Sequence, residues 1–338
     1  MTVVYYESDA RLEALQDNAV SVIGYNGLAR AFALNLRDSG LRVTIGANGG
    51  EGAYAQTDSF DCDTIPTVTQ QAEVILLLIP DQLMADLYIR EISPNLHRGN
   101  TLIFASSYNI AYGFIEPPPF VDVGLVAPRT SGGDMRDQFV HEIGFPSFVA
   151  VWQDASRQAW DRVLAVASAC GALRAGAIEL NIEQEAELSL FVQQAVLPPL
   201  VHILTMASQL LLAQGYPAEA VLTDLYLSGK FNAAIQQIAK HGLLEMVEKR
   251  PSTDQYSILS RLERFVDLKL ERLMEITLEE IRNGQFVREW SQEYTDGQPR
   301  LAKLLRRFQN NDLWEMEQQT LDLIGAEYDD DLPEYDDE

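Results

Sequence analysis

The stretch VIGYNGLARAFALNL, residues 22–36, decides the fold, because it places a turn between a short apolar run and a helical pattern. A strand, a tight turn and a helix in this order open a dinucleotide-binding unit, in which three small residues have separate roles. Those positions are Gly24, Asn26 and Ala29 here, with Gly27 after the asparagine. Asparagine tolerates left-handed backbone angles, but its side chain occupies space that a phosphate would use. Two interpretations stay open: a working cofactor turn, or a plain buried strand, turn and helix.

Short apolar runs alternate with helical patterns from residue 18 to about residue 181. After the opening strand the runs are LRVTIG, EVILLLIPD, NTLIFASS, DVGLVAPR, FPSFVAVW and RAGAIELN. Near-continuous apolar strands separated by helices are typical of a parallel sheet covered on both faces. The pattern therefore predicts an α/β fold, a doubly wound Rossmann-like parallel sheet, over residues 1–181.

The strand signal ends after residue 181, and the long segments that follow have helical periodicity. We predict an all-helical domain over residues 182–326 and a disordered acidic tail over residues 327–338, where EYDDDLPEYDDE carries no basic residue. The apolar segment 195–216 also contains prolines, a histidine and other polar side chains. It is predicted to be a buried helix of this domain and not a membrane span.

Charge and cysteine content restrict the partners and the compartment. Fifty acidic residues outnumber 25 basic ones, which gives a formal net charge of -25. Nucleic acids and anionic membrane surfaces would be repelled, so we expect neither as a partner. Cys62 and Cys170 form neither a CxxC motif nor a disulfide framework, and the first residues lack the pattern of a signal peptide. The cytoplasm is the predicted location.

The wider sequence resembles the ketol-acid reductoisomerases. The matching segments, in order and spacing, are IGYNGLARAFALNLRDSG, LLLIPDQLMADLY, VAPRTSGG, LFVQQAVL and NGQFVREWSQEYTDGQPRLAKL. The resemblance covers residues 3 to 326 and implies the shorter form of the family, with one nucleotide-binding and one helical domain. It also implies a magnesium-dependent alkyl migration in an acetohydroxy acid, then reduction by NADPH, in a homodimer formed through the helical domain.

The resemblance places the family's metal-binding carboxylates at neutral residues of this chain. Alignment through LFVQQAVL puts the first pair at Ser189 and Gln193 and the second pair at Thr223 and Leu227. Neutral groups do not offset the charge of two closely spaced magnesium ions. We therefore predict no magnesium, and we keep Ser189, Gln193 and Thr223 as residues of a substrate cleft.

Other family positions have changed as well. The family's histidine after the fifth strand corresponds to Ser106, and its lysine in PKGPG corresponds to Arg129. The loop that would hold the 2'-phosphate of NADPH has Asn48 and Glu51, and a carboxylate there would repel that phosphate. NADH is therefore favoured over NADPH. The residues predicted to contact the cofactor are Gly24, Tyr25, Asn26, Gly27, Asn48, Glu51, Pro80 and Asp81.

Three functions are compatible with these residues. The first is a metal-independent reductase that reduces a C=O or C=N bond of a small anionic or carbonyl substrate with a nicotinamide. Tyr108 would donate the proton and Arg129 would hold the substrate, with Ser106 beside them at the strand ends. The second is an inactive protein of this family that serves as a binding or regulatory partner. The third, and least favoured, is a true ketol-acid reductoisomerase, because fold does not carry function when site residues are absent.

Overall fold

The structure is a computed structural model that describes residues 2–16, 18–265 and 269–324. The chain divides into two compact units, one of residues up to Leu188 and one that begins at Ser189. The tail predicted to be disordered, 327–338, lies outside the described residues. The domain boundary predicted at 181/182 falls at the start of a helix, Ile182–Phe191, whose first turns belong to the first unit.

The first unit is built on a nine-stranded sheet. Its strands are β1 Val4–Tyr5, β2 Val20–Ile23, β3 Val43–Gly46, β4 Asp61–Asp63, β5 Val74–Leu77, β6 Thr101–Phe104, β7 Asp122–Pro128, β8 Ser147–Gln153 and β9 Ala177–Glu179. Their order across the sheet is β1-β9-β8-β7-β6-β5-β2-β3-β4. Strands β2, β5 and β6 are buried along their whole length, as expected for strands covered on both faces. The Rossmann-like architecture predicted from the sequence is confirmed.

The sheet is mixed, whereas the sequence predicted a parallel one. Strand β8 pairs antiparallel with β7, and β1 pairs antiparallel with β9; the remaining pairs are parallel. Pro128, the last residue of β7, pairs with Ser147, the first residue of β8. Strand β8 thus begins at the same end of the sheet at which β7 stops, so the helix between them does not carry the chain back to the other end. Apolar periodicity predicts strands and helices but does not report this direction.

Ten helices accompany the sheet among the described residues. They are α1 Glu13–Gln16, α2 Gly27–Asp38, α3 Gly49–Thr57, α4 Ile65–Gln71, α5 Asp81–Leu87, α6 Tyr108–Ala111, α7 Gly132–Val140, α8 Ala159–Cys170, α9 Ala172–Ala175 and α10 Ile182–Phe191. Two apolar clusters, one on each face of the sheet, form the core. Helices α2 and α8 contribute to the first cluster, and α4, α5 and the first residue of α10 contribute to the second. Burial on both faces holds the strand ends in fixed positions.

The second unit is helical. Its described helices are α11 Leu197–Ala213, α12 Ala218–Leu222, α13 Lys230–Glu248, α14 Ser252–Leu262, α15 Leu270–Arg282, α16 Gln285–Thr295, α17 Pro299–Gln309 and α18 Asp312–Ile324, with π-helical turns at Val192–Val196 and Thr223–Leu227. Many large apolar side chains of this unit are exposed, Leu210 and Leu243 by 62% and 68%. One chain therefore leaves a wide apolar surface uncovered in this unit.

The prediction that segment 195–216 is a buried helix is wrong for the single chain. In α11, Ser208 is the buried residue, while Val201, Met206 and Leu210 are exposed. The continuous helical stretch Ile182–Ala213 contains an 18-residue window with a mean hydropathy of 1.7 and is, among the described residues, the one stretch long and apolar enough to cross a membrane. Only 11% of that window is buried within the chain. The apolar residues are present as predicted, but the described chain supplies too few neighbours to cover them.

Candidate functional site

The carboxyl ends of four neighbouring parallel strands carry most of the predicted site residues. Gly24 follows β2, Pro80 and Asp81 come after β5, Ser106 comes after β6, and Arg129 follows β7. Strand β2 lies between β3 and β5, so the chain reverses its direction of progress across the sheet at this point. Ligands of open α/β sheets bind in the crevice outside the carboxyl ends at such a reversal. The topology brings these residues to one edge of the first unit.

The turn after β2 depends on glycine at its first position. Gly24 has a φ of +92°, and a Cβ atom there would lie 2.9 Å from the Leu78 carbonyl oxygen and 2.8 Å from Cγ2 of Ile79. Gly27 is different, because a Cβ atom on it would meet no atom within 4 Å. The space beside Gly27 is therefore open, as a backbone that must approach a phosphate requires.

Asn26 does not use the left-handed backbone angles that asparagine tolerates. It is the N-cap residue of α2, with φ −75° and ψ 180°. Its side-chain oxygen accepts a hydrogen bond from the Ala29 amide at 2.9 Å, and its side-chain nitrogen donates to the Leu78 carbonyl at 2.9 Å. The asparagine thus satisfies one amide at the helix start and joins α2 to the end of β5. The amides of Gly27 and Leu28 are the other donors of this first turn.

Three more residues predicted to contact a cofactor follow strands β2 and β3, and they differ in exposure. Tyr25 is 2% exposed, and its hydroxyl donates to Asp58 at 2.7 Å, so its side chain belongs to the core and only its backbone lies at the turn. Tyr25 therefore stays a predicted cofactor contact through its backbone. Asn48 is the N-cap residue of α3, and Glu51 is an exposed acid in the first turn of that helix. Both lie after β3, on the side of the crevice opposite to β6 and β7.

Asp81 is held by two neighbours from the segment after β6. The Ser106 hydroxyl donates to its Oδ2 at 2.9 Å, and the Asn109 side-chain nitrogen donates to its Oδ1 at 3.1 Å. Removal of the carboxyl group from water raises the pKa of Asp81 to about 6, and the nearby charge of Glu185 adds to this, while the two hydrogen bonds oppose it. A carboxylic acid that titrates at about pH 6 exchanges protons near neutrality.

A second group of polar contacts centres on Glu185, a residue of α10 that the sequence analysis did not assign to the site. Its carboxylate is 2% exposed, accepts from the backbone amide and the hydroxyl of Ser107, and pairs with the Arg129 guanidinium at 2.8 Å. The Ser107 hydroxyl oxygen also lies 2.8 Å from the Ile182 carbonyl oxygen, an alternative acceptor for its proton. These bonds fix the first turns of α10 to the ends of β6 and β7. No sequence signal singled it out, since the same helix also has acids at 183 and 187.

Tyr108, predicted as the proton donor, lies at the start of α6. Its ring stacks on Phe114, with centroids 5.8 Å apart, and its hydroxyl is buried with no hydrogen-bond partner among the described residues. Burial raises the pKa of Tyr108 to about 12, and the charge of Asp81 adds to the effect. The phenol is therefore a weak acid at neutral pH, although it can still donate a hydrogen bond.

The positions at which the resemblance places metal-binding carboxylates lie in the second unit. Ser189 is the last-turn residue of α10, Gln193 lies in the π-helical turn that follows, and Thr223 and Leu227 begin and end the second π-helical turn. Magnesium prefers carboxylate oxygens, and these four side chains offer two hydroxyls, an amide and a hydrocarbon. The donor set does not fit a pair of magnesium ions. Across the described ranges, histidine, cysteine and acidic side chains form no group of three that would hold a metal.

Comparison with known proteins identifies both parts of the chain. Residues 14–176 match the family model of the acetohydroxy acid isomeroreductase NADPH-binding domain, and residues 182–325 match the ketol-acid reductoisomerase C-terminal domain. The chain is 35% identical over 330 residues to a ketol-acid reductoisomerase (NADP(+)) of Methanopyrus kandleri, covering 97% of this chain and all of that one. A relative of the same name from Pyrobaculum calidifontis is 34% identical over 97% of this chain and 98% of its own.

A solved structure shares the whole architecture. The NADH-preferring ketol-acid reductoisomerase from an uncultured archean superposes with a TM-score of 0.89 at 27% identity, over 95% of this chain and 99% of that one. Two family models cover almost the whole chain, curated relatives match it from end to end, and the crevice at the β2 reversal is where such a fold binds a dinucleotide. The chain therefore belongs to the ketol-acid reductoisomerase family of NAD(P)-dependent oxidoreductases.

Proposed function

We propose that this chain is a reductase that uses a nicotinamide to reduce the C=O or C=N bond of a small anionic substrate, without alkyl migration and without magnesium. The observation that carries the proposal is the set of neutral side chains at the four positions to which the resemblance assigns the family's carboxylates. Alkyl migration in the family is the step that depends on magnesium, whereas hydride transfer needs an oriented substrate and a proton source. The polar groups at the strand ends supply these two requirements.

We assign the nicotinamide cofactor to the crevice at the β2 end. The amides of Gly27 and Leu28 would face its pyrophosphate, and the open space beside Gly27 would admit it. NADH is favoured over NADPH, because Glu51 in the first turn of α3 would repel a 2'-phosphate. The similarity of the fold to the NADH-preferring ketol-acid reductoisomerase from an uncultured archean supports this choice.

The residues at the β5, β6 and β7 ends would act on the substrate. When bound, the nicotinamide supplies the hydride. Arg129 would orient an anionic group, and its guanidinium is already held by Glu185 and lies over the Phe148 ring, 4.7 Å from its centroid. The buried hydroxyl of Tyr108 would donate a hydrogen bond to the substrate oxygen or nitrogen. A guanidinium fixed in advance loses less entropy on binding, so orientation is its main contribution.

Titration with NADH and with NADPH, in EDTA and in millimolar magnesium, tests this proposal. We expect micromolar affinity for NADH, an affinity for NADPH at least about tenfold weaker, and no effect of magnesium on either. Quenching of protein fluorescence or calorimetry measures the binding. Tighter binding of NADPH than of NADH would contradict the role assigned to Glu51. Cofactor binding that requires magnesium would contradict the proposal that the protein works without this metal.

The alternative function is that of an inactive family member acting as a binding or regulatory protein. The observation that favours it is Asn26, whose side chain is bonded at both ends in the turn where a phosphate would bind. Such a protein would bind neither NADH nor NADPH at millimolar concentration. That result would support the alternative function and contradict the proposed reductase function.

We further propose that the chain is a cytoplasmic homodimer whose helical units cover one another. The exposed apolar side chains of the second unit support this, and we favour a second copy over a membrane because α11 also carries His202, Thr205 and Gln209. Light scattering should give twice 37.8 kDa. Leu210→Glu, on α11, should weaken the dimer at least about tenfold, since it puts a charge at an apolar contact.

The matched control for that variant is Ile143→Glu. Ile143 is 65% exposed, close to the 62% of Leu210, but it lies in the first unit. This variant should remain a dimer. A wild-type protein that is monomeric at micromolar concentration, or a dimer that the two variants affect equally, would contradict assembly through the helical units.

A further inference from the structure

Asp81 and Ser106 form a hydrogen-bonded pair at the substrate side of the crevice, at the ends of the adjacent strands β5 and β6. The Ser106 hydroxyl donates to Oδ2 of Asp81 at 2.9 Å, and both residues are only partly buried. The family's histidine is absent from this position, and Tyr108 is too weak an acid to replace it. The pair is therefore the strongest candidate for moving a proton at this edge of the sheet.

We propose that Asp81 is the proton source of the reduction and that Ser106 passes the proton to the substrate, an inference that rests on the reductase function proposed above. A hydroxyl has one proton to donate. When Asp81 is ionised, Ser106 directs that proton to the carboxylate, as in the structure. When Asp81 is protonated, it donates to Oγ of Ser106, and the serine proton becomes available to the substrate.

The reduction adds one hydride and one proton to the C=O bond. The carbonyl carbon accepts a hydride from the nicotinamide, which becomes oxidised, and the carbonyl π bond breaks to leave an electron pair on oxygen. That oxygen takes the proton of Ser106, and Ser106 takes the proton of Asp81 as the O–H bond of the carboxyl group breaks. The products are an alcohol, a neutral serine and a carboxylate, which regains a proton from water.

Asn109 holds the donor in place. Its side-chain nitrogen donates to Oδ1 and to the backbone carbonyl of Asp81, both at 3.1 Å, and the residue is 1% exposed. The Asp81 oxygen that faces Ser106 is thereby fixed. Asn109 is a positioning residue, since it acts through Asp81.

The surroundings of Asp81 set the pH range of this transfer. The groups that act on it are Ser106 after β6, Asn109 and Tyr108 on α6, and Glu185 on α10, which is itself paired with Arg129. The balance of these groups and of burial raises the pKa of Asp81 to about 6. The acid form is the active one, so the rate of reduction should fall about tenfold per pH unit above pH 6.

Asp81→Asn tests the assignment, because the amide keeps the size of the side chain and loses the acidic proton. We expect kcat for NADH-dependent reduction to fall about 100-fold, with the fall above pH 6 abolished. Ser106→Ala should have a similar effect, Ser106→Thr should restore part of the rate, and the double variant should be no slower than either single one. Asp86→Asn, an exposed acid on the same helix, should behave as wild type.

A direct titration of Asp81 gives a readout that does not depend on turnover. The carboxyl band that Asp81→Asn removes from the infrared difference spectrum should titrate at about pH 6. It should move to higher pH in Ser106→Ala, which loses a hydrogen bond to the charged form. A band that titrates near pH 4, or an Asp81→Asn variant with full activity and an unchanged pH profile, would overturn the relay and leave the reductase intact. A wild-type protein that binds and oxidises no NADH would overturn both.

Discussion

Replacement of Glu185 by alanine is expected to lower the free energy of unfolding by about 3 kcal/mol. The carboxylate is 2% exposed and accepts bonds from Ser107 and Arg129, so its loss takes the acceptor from the buried Ser107 amide and removes the carboxylate that pairs with Arg129. The value lies at the lower end for a buried pair, because the Arg129 side chain is 29% exposed and can reach water. Urea denaturation at pH 7, followed by circular dichroism, measures the change.

Glu183 provides the matched control, since it lies on the same helix and is exposed. Its replacement by alanine should cost no more than about 0.5 kcal/mol, the value of an acid near a helix start. Glu185→Gln should be intermediate, because an amide oxygen still accepts from the Ser107 amide. Equal effects of Glu183→Ala and Glu185→Ala would contradict the role of Glu185 in fixing α10 to the sheet.

Replacement of Gly24 by alanine is expected to destabilise the first unit by about 3 kcal/mol. The residue has a φ of +92°, which alanine rarely adopts, and the new Cβ would overlap the Leu78 carbonyl oxygen and the Ile79 side chain. The strand, turn and helix that open the fold would have to shift. Thermal unfolding of the purified variant measures this loss, and NADH titration should show that cofactor binding is lost with it.

Gly27→Ala separates stability from cofactor binding at the same turn. A Cβ atom on Gly27 meets no atom within 4 Å, so the stability should change by no more than about 1 kcal/mol. NADH affinity should still fall at least about tenfold, because the methyl group would project into the space assigned to the pyrophosphate. If Gly27→Ala binds NADH as tightly as wild type, the cofactor does not pass over this turn.

The sequence predicted the fold well where apolar patterning was strong. Strands β2, β5 and β6 are mostly apolar and buried along their whole length, and each was expected. Strands β1 and β4 were missed because they are short, lie at the sheet edges and have exposed residues. The antiparallel direction of β8 depends on where the chain re-enters the sheet, which periodicity does not encode.

The site was predicted in part, for a related reason. Residues that come within four positions of a strand end, such as Asp81, Ser106 and Arg129, lie where the topology brings strand ends together. Glu185 was missed because α10 has acids at 183, 185 and 187, and only tertiary packing decides which of them is buried. Tyr25 was assigned to the cofactor because of its place in the turn, but its side chain is buried and its hydroxyl donates to Asp58.

The most direct test of the account compares two substrates that differ by the alkyl migration alone. The migration converts an acetohydroxy acid into a 3-hydroxy-2-keto acid, and NADH oxidation at 340 nm, about the absorption maximum of the reduced nicotinamide, follows the reduction of either. We predict that the protein oxidises NADH with the 3-hydroxy-2-keto acid in EDTA and does not do so with the acetohydroxy acid, even in millimolar magnesium. Magnesium-dependent turnover of the acetohydroxy acid would contradict the account and make this chain a complete ketol-acid reductoisomerase.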